Sequence, residues 1–452
     1  MPPGYATWSF HNGYIAETQK DCLQPDETVI NEKSAFFIFK DPGSMKQTSY
    51  TAAQAEQFKG LTQGTIGLMA MAAGLYVANI YYNQPMLGIL AREFHERPDA
   101  VSYVAVATQV GYALGMVLLA SLGDCFERRR LILITSVALS FSLILAAFSP
   151  SLHVLVGASL FVGFLATVAQ QVVPMAAHLA SEHMRGQVVG TVMSGLLAGI
   201  LLARTVSGVI SEYGTWREMF GIAAVFSLVM GIVLSFRLPK SEPMVRISYT
   251  ETLCSLFKLF RKYSVLRRSA LVQALLFAAF TSFWANLAVF LEMPPFSKGS
   301  SVAGLLGLLG VAGVMAAPFT GKLADRYTKG KGKVIALGSA VVAVSFVIFA
   351  AFRTSWAALF IGIVLMDIGM QAALISNQSR IYALDAAARS RMNTVFLTVI
   401  FIGGSIGAAV SAHIFEAYGW LGIGLLGAAF GAAAFAVETL MSGDDKKNLR
   451  NF

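Results

Sequence analysis

Ionisable side chains interrupt the long apolar stretches of this chain at Arg204, Glu292 and Asp367, whereas Glu438 and His178 lie near the ends of their stretches and are expected at the membrane interface. A charged group that is removed from water needs a partner, so such residues are candidates for function. A carboxylate in this position can take up and release a proton, whereas an arginine keeps its charge and can only change partners. We therefore predict that Asp367 is protonatable, that Arg204 is its counter-charge, and that Glu292 is a competing proton or cation site.

Uncharged polar side chains form a second group within the same apolar stretches. Amides and ring donors need hydrogen-bond partners when they are removed from water. Together they would line a polar, aromatic cavity for an organic solute; the alternative is that they bond to neighbouring helices and only hold the fold together. The candidates for the cavity are Asn79, Tyr82, Asn83, Gln84, Gln170, Gln171, Trp284, Asn286, Gln371, Asn377 and Gln378.

The apolar stretches set the fold class. The chain of 452 residues is 56% hydrophobic and only 13% charged, about half the charged fraction of an ordinary soluble protein. Most charges fall in short clusters between apolar runs of roughly 20 residues, the length of helix that crosses a bilayer. We predict an all-α membrane protein with twelve transmembrane helices, called spans 1 to 12 in chain order. Their predicted limits are 62–91, 99–122, 130–148, 152–180, 186–212, 217–236, 269–294, 301–323, 333–352, 356–380, 389–412 and 420–441.

Lysine and arginine are distributed unequally between the two ends of the spans. One set of alternating loops, which includes residues 237–268, carries 20 of these residues, and the other set carries 5. Basic residues collect on the cytoplasmic side of membrane proteins, so we predict that this basic end is cytoplasmic and holds both termini. The basic residues of the opposite end are Arg92, Arg97, Arg217, Lys298 and Arg353.

The longest loop between spans divides the chain almost evenly, which predicts two bundles of six helices. The first 60 residues are polar and irregular and lack the basic and apolar regions of a signal peptide, so they are predicted to be a disordered tail. The predicted segments are 1–60 (N-terminal cytoplasmic tail), 61–236 (first bundle), 237–266 (basic cytoplasmic linker), 267–441 (second bundle) and 442–452 (C-terminal cytoplasmic tail).

The two halves share landmarks at a nearly constant offset. Each matched pair falls at the same place in its half: in the first span, after the second span, or at the end of the fifth span. Offsets between 201 and 207 residues indicate an internal repeat, and parallel six-helix repeats place a substrate site between the halves near the bilayer midplane. The pairs are Asn79 with Asn286, Asp124 with Asp325, and Glu212 with Glu416.

The loop after span 8 reads GKLADRYTKGK, residues 321–331. It resembles the loop motif of the major facilitator superfamily, Gly-x-x-x-Asp-Arg followed by glycine and basic residues, although Thr328 replaces the second glycine. The matching loop after span 2, ASLGDCFERRR, keeps the aspartate and two arginines but departs from the motif at three other positions. The residues that match are Asp124, Arg128, Arg129, Gly321, Asp325 and Arg326.

The resemblance covers residues 61–441 and implies the major facilitator fold, with two pseudo-symmetric six-helix bundles. The nearest branch resembles the bacterial twelve-helix drug:proton antiporters and efflux permeases, which implies the inner membrane. It also implies that the six motif residues gate the cytoplasmic side, where each aspartate docks on the opposite bundle; the alternative is that these charges only set the topology. Members of the family line their cavity with spans 1, 4, 7 and 10, which carry the amides and aromatics here.

Glycines at helical spacing mark the other inner spans, 2, 5, 8 and 11. Such spacing permits close approach of two helices, and with the resemblance it predicts the rocking interface between the bundles; generic packing within the bilayer is the alternative. The glycines are Gly111 and Gly115, Gly195 and Gly199, Gly403 and Gly407, and Gly304, Gly307, Gly310 and Gly313.

Two departures from the antiporter pattern direct attention to the charged residues. Span 4 has Ser159 where many drug:proton antiporters have an arginine, and span 5 lacks their Gly-Pro pair. Arg204 and Asp367 lie at similar depths, roughly 12–17 Å from the opposite end at 1.5 Å per residue. We hypothesise that they face each other across the bundle interface or share a hydrated pocket; a static ion pair, or Arg204 bonded to carbonyls, is the alternative.

The leading interpretation is a secondary active transporter that exports a small organic or amphiphilic solute in exchange for protons. A proton symporter that imports a small metabolite and a non-transporting membrane sensor are the alternatives. HExxH and Walker A sequences and His/Cys clusters do not occur in the sequence, so we predict no enzyme activity, no cofactor and no metal site. The expected partners are a small-molecule solute, protons and the lipid bilayer, not nucleic acid, and the family resemblance implies a monomer.

Overall fold

The computed structural model describes residues 62–123, 125–180, 184–239, 248–311, 331–385 and 388–448, together with short strands before residue 52. From residue 62 onward the described residues are almost entirely helical. Long apolar runs favour helix in a bilayer, because a helix satisfies its own backbone hydrogen bonds where no water is present. The structure confirms the predicted all-α membrane fold.

Helices lie within all of the predicted spans, and a further helix lies in the linker. In the described ranges, nine helices are long and apolar enough to cross a membrane; one of them, Arg389–Met441, covers spans 11 and 12. That helix breaks at Gly419, whose φ of 58° is a left-handed conformation that glycine adopts readily. The helix bounds are Gln63–Ala78, Leu87–Phe94, Pro98–Leu122, Arg128–Ala147, Leu152–Leu165, Ala169–Leu179, Arg185–Tyr213, Trp216–Arg237, Tyr249–Lys262, Ser264–Glu292, Ser300–Leu306, Lys331–Ala351, Trp356–Tyr382 and Arg389–Asn448.

Spans 1 and 8 differ from continuous helices. Span 1 consists of Gln63–Ala78 and Leu87–Phe94, joined by a turn and the short 3-10 helix Gln84–Met86. A proline at the second position of that 3-10 helix cannot donate a backbone hydrogen bond, which favours the interruption. Span 8 begins as Ser300–Leu306 and continues as the 3-10 helix Gly307–Gly310; most of its remainder lies outside the described residues.

Short strands occur in the N-terminal segment, where the sequence analysis predicts no regular structure. They form a two-stranded and a three-stranded antiparallel sheet, each built from strands adjacent in the chain. The longest pair includes the sequence SAFFIFKD, rich in the aromatic and β-branched residues that favour strands. The strands are Ser9–His11, Tyr14–Ala16, Ile30–Asn31, Ser34–Asp41 and Ser44–Thr51.

The glycine pairs of spans 5 and 11 pack helices within each bundle, which corrects the prediction that they mark the interface between bundles. A Cβ atom at Gly199 would lie 2.2 Å from the carbonyl oxygen of Gly74 in span 1, so the two backbones are in direct contact. A Cβ atom at Gly407 would likewise lie 2.3 Å from the carbonyl oxygen of Ala278 in span 7. Glycine spacing shows where a helix is approached closely but not which neighbour approaches it. The internal repeat therefore extends to the packing of span 5 on span 1 and of span 11 on span 7.

The pair in span 2 also packs within its bundle: a Cβ atom at Gly111 would lie 2.0 Å from the carbonyl oxygen of Leu160 in span 4. Gly304 of span 8, in contrast, lies between the bundles as predicted, and a Cβ atom there would lie 2.4 Å from the carbonyl oxygen of Arg204. Gly313 lies outside the described residues. Contact between the bundles along spans 5 and 8 therefore involves Gly304 and also Gly208 of span 5, not the pair Gly195 and Gly199.

We expect the substitution Gly199→Val to lower the stability of the protein by about 1–3 kcal/mol, because the new side chain would collide with the backbone of span 1. Gly190→Val is the matched control, since Gly190 lies on the same helix and a Cβ atom there meets nothing within 4 Å. Thermal unfolding of the purified protein in detergent measures the effect. Equal melting temperatures for the two variants would contradict the packing described here.

Candidate solute and proton site

The Arg204 side chain is buried between the two bundles, with 2% of its surface exposed. It extends from span 5, and its Nε donates a hydrogen bond to Oε1 of Gln84 in span 1 at 2.8 Å. This partner is a neutral amide, so it satisfies one donor but does not neutralise the charge. The guanidinium is therefore held by hydrogen bonding and by the ring contacts that surround it.

Three aromatic rings enclose the Arg204 guanidinium. Its central carbon lies 4.6 Å from the ring centre of Tyr81 in span 1, 4.4 Å from that of Trp284 and 5.4 Å from that of Phe280. The last two belong to span 7, so the cage combines rings from both bundles. Each cation–π contact stabilises a desolvated cation by about 0.5–2 kcal/mol. The cage explains how a fixed positive charge is accommodated away from water.

Asp367 lies in span 10 and is 9% exposed. Its Oδ2 is buried and makes no hydrogen bond with a described residue. Among the ion pairs of the described residues, none joins Asp367 with Arg204, although both side chains lie against span 8. The pair is therefore an interaction at a distance in this conformation, not the direct contact that the sequence hypothesis includes.

Two glycines of span 8 lie between these two charges. A Cβ atom at Gly307 would be 3.2 Å from Cβ of Arg204, and one at Gly310 would be 3.4 Å from Oδ2 of Asp367. The glycines are three residues apart in the 3-10 helix, so they lie on one side of it. Arg204 from the first bundle and Asp367 from the second thus contact the same face of span 8, one turn apart.

Several buried polar atoms near the cage have no hydrogen-bond partner among the described residues. Nη2 of Arg204 and Nε1 of Trp284 are unused donors, and Oδ2 of Asp367 is an unused acceptor. Unsatisfied buried polar groups cost free energy and occur where water, an ion or a ligand completes the bonding. The cage region therefore offers both donors and an acceptor to a bound molecule.

The polar residues of span 1 lie at the break between its helices. Nδ2 of Asn83 donates to the hydroxyl of Thr108 in span 2 at 2.8 Å, and Nδ2 of Asn79 donates to the backbone of Leu75 at 2.9 Å. The side-chain oxygens of both asparagines are buried and accept no hydrogen bond from the residues that the structure describes. Tyr82 is buried beside them. These three predicted residues lie together with Gln84 at the turn, and Gln84 contacts Arg204.

Gln170 and Gln171 lie elsewhere, near the basic end of span 4. Nε2 of Gln170 donates to the hydroxyl of Tyr112 at 3.0 Å, and Nε2 of Gln171 donates to the carbonyl of Leu119 at 2.8 Å. Both line a polar cavity between spans 2, 4 and 11, together with Arg128 and Arg391. These two glutamines therefore line a cavity at the basic end whose lining includes none of the rings around Arg204.

The amides of the second bundle bond mainly within it. Nδ2 of Asn286 donates to the hydroxyl of Ser411 at 2.9 Å, and Nδ2 of Asn377 donates to Oε1 of Gln273 at 3.3 Å. For these two residues the contacts agree with the alternative interpretation, hydrogen bonding between helices. Gln371 and Gln378 are partly exposed on span 10.

Glu292 lies at the opposite end, away from the cage, where it forms an ion pair with Arg92 across the two bundles. Of the predicted cytoplasmic gating residues, Asp124, Gly321, Asp325 and Arg326 lie outside the described residues. Arg128 donates from Nε to the carbonyl of Gly123 at 2.9 Å, and Arg129 donates to the carbonyl of Leu238 at 3.3 Å. Their contacts hold the ends of neighbouring helices at the basic end.

Sequence reasoning missed Phe280 and the glycines beneath the charges as parts of this site. Phe280 precedes Trp284 by four residues, so both lie on one face of span 7, and that spacing could have been found. Gly310 was noted for helix packing, but its contact with Asp367 depends on the arrangement of spans that are distant in sequence.

Comparison with known proteins identifies the family. The model of the major facilitator superfamily matches residues 69–384 and, in an overlapping match, residues 299–451. The chain is 40% identical over 369 residues to the uncharacterized transporter YgaY of Escherichia coli O157:H7, a match that covers 81% of this chain and 93% of YgaY. It is 23% identical over 369 residues to a probable sugar efflux transporter of Helicobacter pylori, covering 81% of this chain and 92% of that protein.

The fold is also that of solved transporters. A bacterial homologue of the human lysosomal transporter Spinster, in an inward-facing and occupied conformation, superposes with a TM-score of 0.68 at 14% identity, over 84% of this chain and 96% of the other. With so low an identity, this likeness concerns the fold alone. Taken with the family match and the buried charges between two helical bundles, it leads to one conclusion: the chain belongs to the major facilitator superfamily and is a multi-pass membrane transporter of small-molecule solutes.

Proposed function

We propose that this transporter is a proton-coupled exporter of a small organic or amphiphilic solute, located in the inner membrane with both termini in the cytoplasm. The observation that carries the proposal is the placement of Arg204 and Asp367 on one face of span 8, between the bundles, with unsatisfied polar atoms. The basic end supports the orientation. The relative named as a sugar efflux transporter supports export.

Protonation of Asp367 would change the force between the bundles. When the carboxylate is charged, its attraction to Arg204 favours the arrangement in which both residues contact span 8, because the interaction acts through a medium of low dielectric constant. When the carboxyl is neutral, this attraction is lost and the bundles can rearrange. Coupling between proton binding and conformation is reciprocal. The conformation that releases the proton must therefore hold Asp367 in an environment different from that of the conformation that binds the proton.

The charge of the solute decides between export and import within this scheme. A cationic group would compete with the proton for Asp367, which gives exchange of solute against proton. An anionic group would bind Arg204 best when Asp367 is neutral, so that solute and proton travel together. The unused Nη2 of Arg204 is the observation that keeps the second candidate function, a proton symporter for a small metabolite.

Proteoliposomes with an imposed pH gradient test the proposal. Purified protein is exposed to a panel of cationic, neutral and anionic organic solutes, and proton movement is followed with a pH-sensitive dye inside the vesicles. Export by antiport predicts that a solute added to one side drives protons to that same side. Proton movement in the same direction as the solute would identify symport, and absence of movement with all solutes would favour a sensor.

A further inference from the structure

We propose that Glu212 and Glu416 are a matched pair of gating carboxylates that hold the two bundles together at the end opposite to the basic end. The two residues occupy equivalent positions in the internal repeat, each at the end of the fifth span of its half. Each contacts the bundle to which it does not belong, at the start of that bundle's second span. The proposal goes beyond proton-coupled export and does not depend on it.

Glu212 binds the start of span 8. Its Oε2 accepts a hydrogen bond from the backbone N–H of Ser301 at 2.6 Å. The side chain lies against Gly299, where a Cβ atom would fall 2.4 Å from Oε2. Glycine at this position therefore leaves room for the carboxylate. The contact joins span 5 of the first bundle to span 8 of the second.

Glu416 binds the start of span 2 in the equivalent way. Its Oε1 accepts a hydrogen bond from Nη2 of Arg97, the residue directly before the helix that begins at Pro98. Nε of Arg97 also lies 3.3 Å from Oδ1 of Asp99, so the guanidinium is oriented by a second carboxylate. The contact joins span 11 of the second bundle to span 2 of the first.

Hydrogen bonds along spans 5 and 8 connect the first of these contacts to the charged site. The hydroxyl of Ser300 donates to the carbonyl of Gly208 at 3.0 Å, and the hydroxyl of Thr205 donates to the carbonyl of Gly304 at 2.9 Å. The backbones touch at both glycines. Separation of the bundles at this end must first break the contact between Ser300 and Gly208 and then the contact between Thr205 and Gly304. The second of these contacts lies directly beside Arg204. Release of Glu212 is therefore mechanically linked to movement of the proton site.

Distance measurements by double electron–electron resonance test the gate. Spin labels are attached at Phe148→Cys and Phe352→Cys, which are 80% and 61% exposed at this end, one in each bundle, after Cys22, Cys125 and Cys254 are replaced by serine. The protein is studied full length in lipid nanodiscs. Glu212→Ala and Glu416→Ala are each expected to raise the ratio of long to short distances about threefold, as for the loss of an exposed charged contact. The double variant should raise it about tenfold, because independent effects multiply.

Two further variants make the outcome specific. Glu96→Ala removes an exposed carboxylate at the same end whose side chain makes no hydrogen bond or ion pair with the described residues of the other bundle, and it should leave the distances unchanged. The exchange Arg97→Glu with Glu416→Arg should restore the short distances that Glu416→Ala loses, which a residue needed only for folding would not allow. Monodisperse elution from a sizing column establishes that each variant is folded. An unchanged distribution in the folded double variant, or equal widening with Glu96→Ala, would overturn the proposal.

Discussion

Replacing Arg204 with methionine is expected to reduce solute transport at least about 100-fold. The variant loses the positive charge that attracts the Asp367 carboxylate, and it loses the guanidinium that occupies the aromatic cage. The loss corresponds to about 3 kcal/mol, within the range for breaking a buried charge pair. Removal of the guanidinium also frees Gln84 and leaves the ring faces of Tyr81 and Trp284 without their cation. We therefore expect a lower melting temperature as well.

The double variant Arg204→Met with Asp367→Asn separates stability from function. It removes both buried charges, so it should be more stable than Arg204→Met alone, while transport should stay lost. Such a result would be a non-additive effect of two residues that interact. Arg353→Met is the control, since Arg353 is an exposed arginine at the opposite end and its loss should change neither quantity. If the change in melting temperature of the double variant equals the sum of the changes in the two single variants, the two charges do not interact.

Replacing Asp367 with asparagine is expected to abolish solute-dependent proton movement while leaving exchange of the solute in place. Asparagine has nearly the same shape, so the packing against Gly310 should persist, but it does not titrate. The measurement uses the solute that gives the largest wild-type signal in the proteoliposome panel. Proton movement is followed with the internal dye, and exchange is followed by uptake of labelled solute against unlabelled solute, without a pH gradient.

Glu292→Gln is the informative comparison for this second prediction. Glu292 is also a carboxylate between the bundles, but it pairs with Arg92 at the opposite end rather than lying at the cage. If it only helps to close that end, proton movement should survive its replacement. Retention of normal proton movement and its pH dependence in Asp367→Asn would disprove the coupling role of Asp367, and loss in Glu292→Gln instead would transfer that role to Glu292.

The fold could be predicted from the sequence because each signal that indicates it lies within a short stretch of the chain. Apolar runs indicate the helices by their length, and basic loops distinguish the two ends of those helices. A repeated motif indicates the two halves of the chain. None of these signals requires knowledge of contacts between distant residues. Pro85 indicates the interruption of span 1, because a proline removes a backbone hydrogen bond, but the interruption of span 8 was missed because it depends on small residues within an apolar run, Gly307 to Gly310. Apolar composition alone cannot tell a continuous helix from an interrupted one.

The candidate site could be predicted only in part. A charge in an apolar run, such as Arg204 or Asp367, is visible in one sequence because burial makes it costly. The amides stand out in the sequence as polar residues in apolar runs, but whether each faces a cavity or a neighbouring helix is decided by contacts between distant spans. Asn286 and Gln84 look alike in sequence, yet one bonds within its bundle and the other bonds Arg204.

The interruption of span 1 has a mechanical consequence. A continuous helix is stiff, whereas span 1 consists of two helices joined by a hinge at residues 79–83. The longer helix packs on span 5 through Gly74, and the shorter helix contacts the second bundle through the ion pair of Arg92 with Glu292. Bending at the hinge would let the shorter helix move with the second bundle while the longer helix stays with the first. The hinge, which also carries the residues beside Arg204, would thereby accommodate the movement of the bundles in each transport cycle.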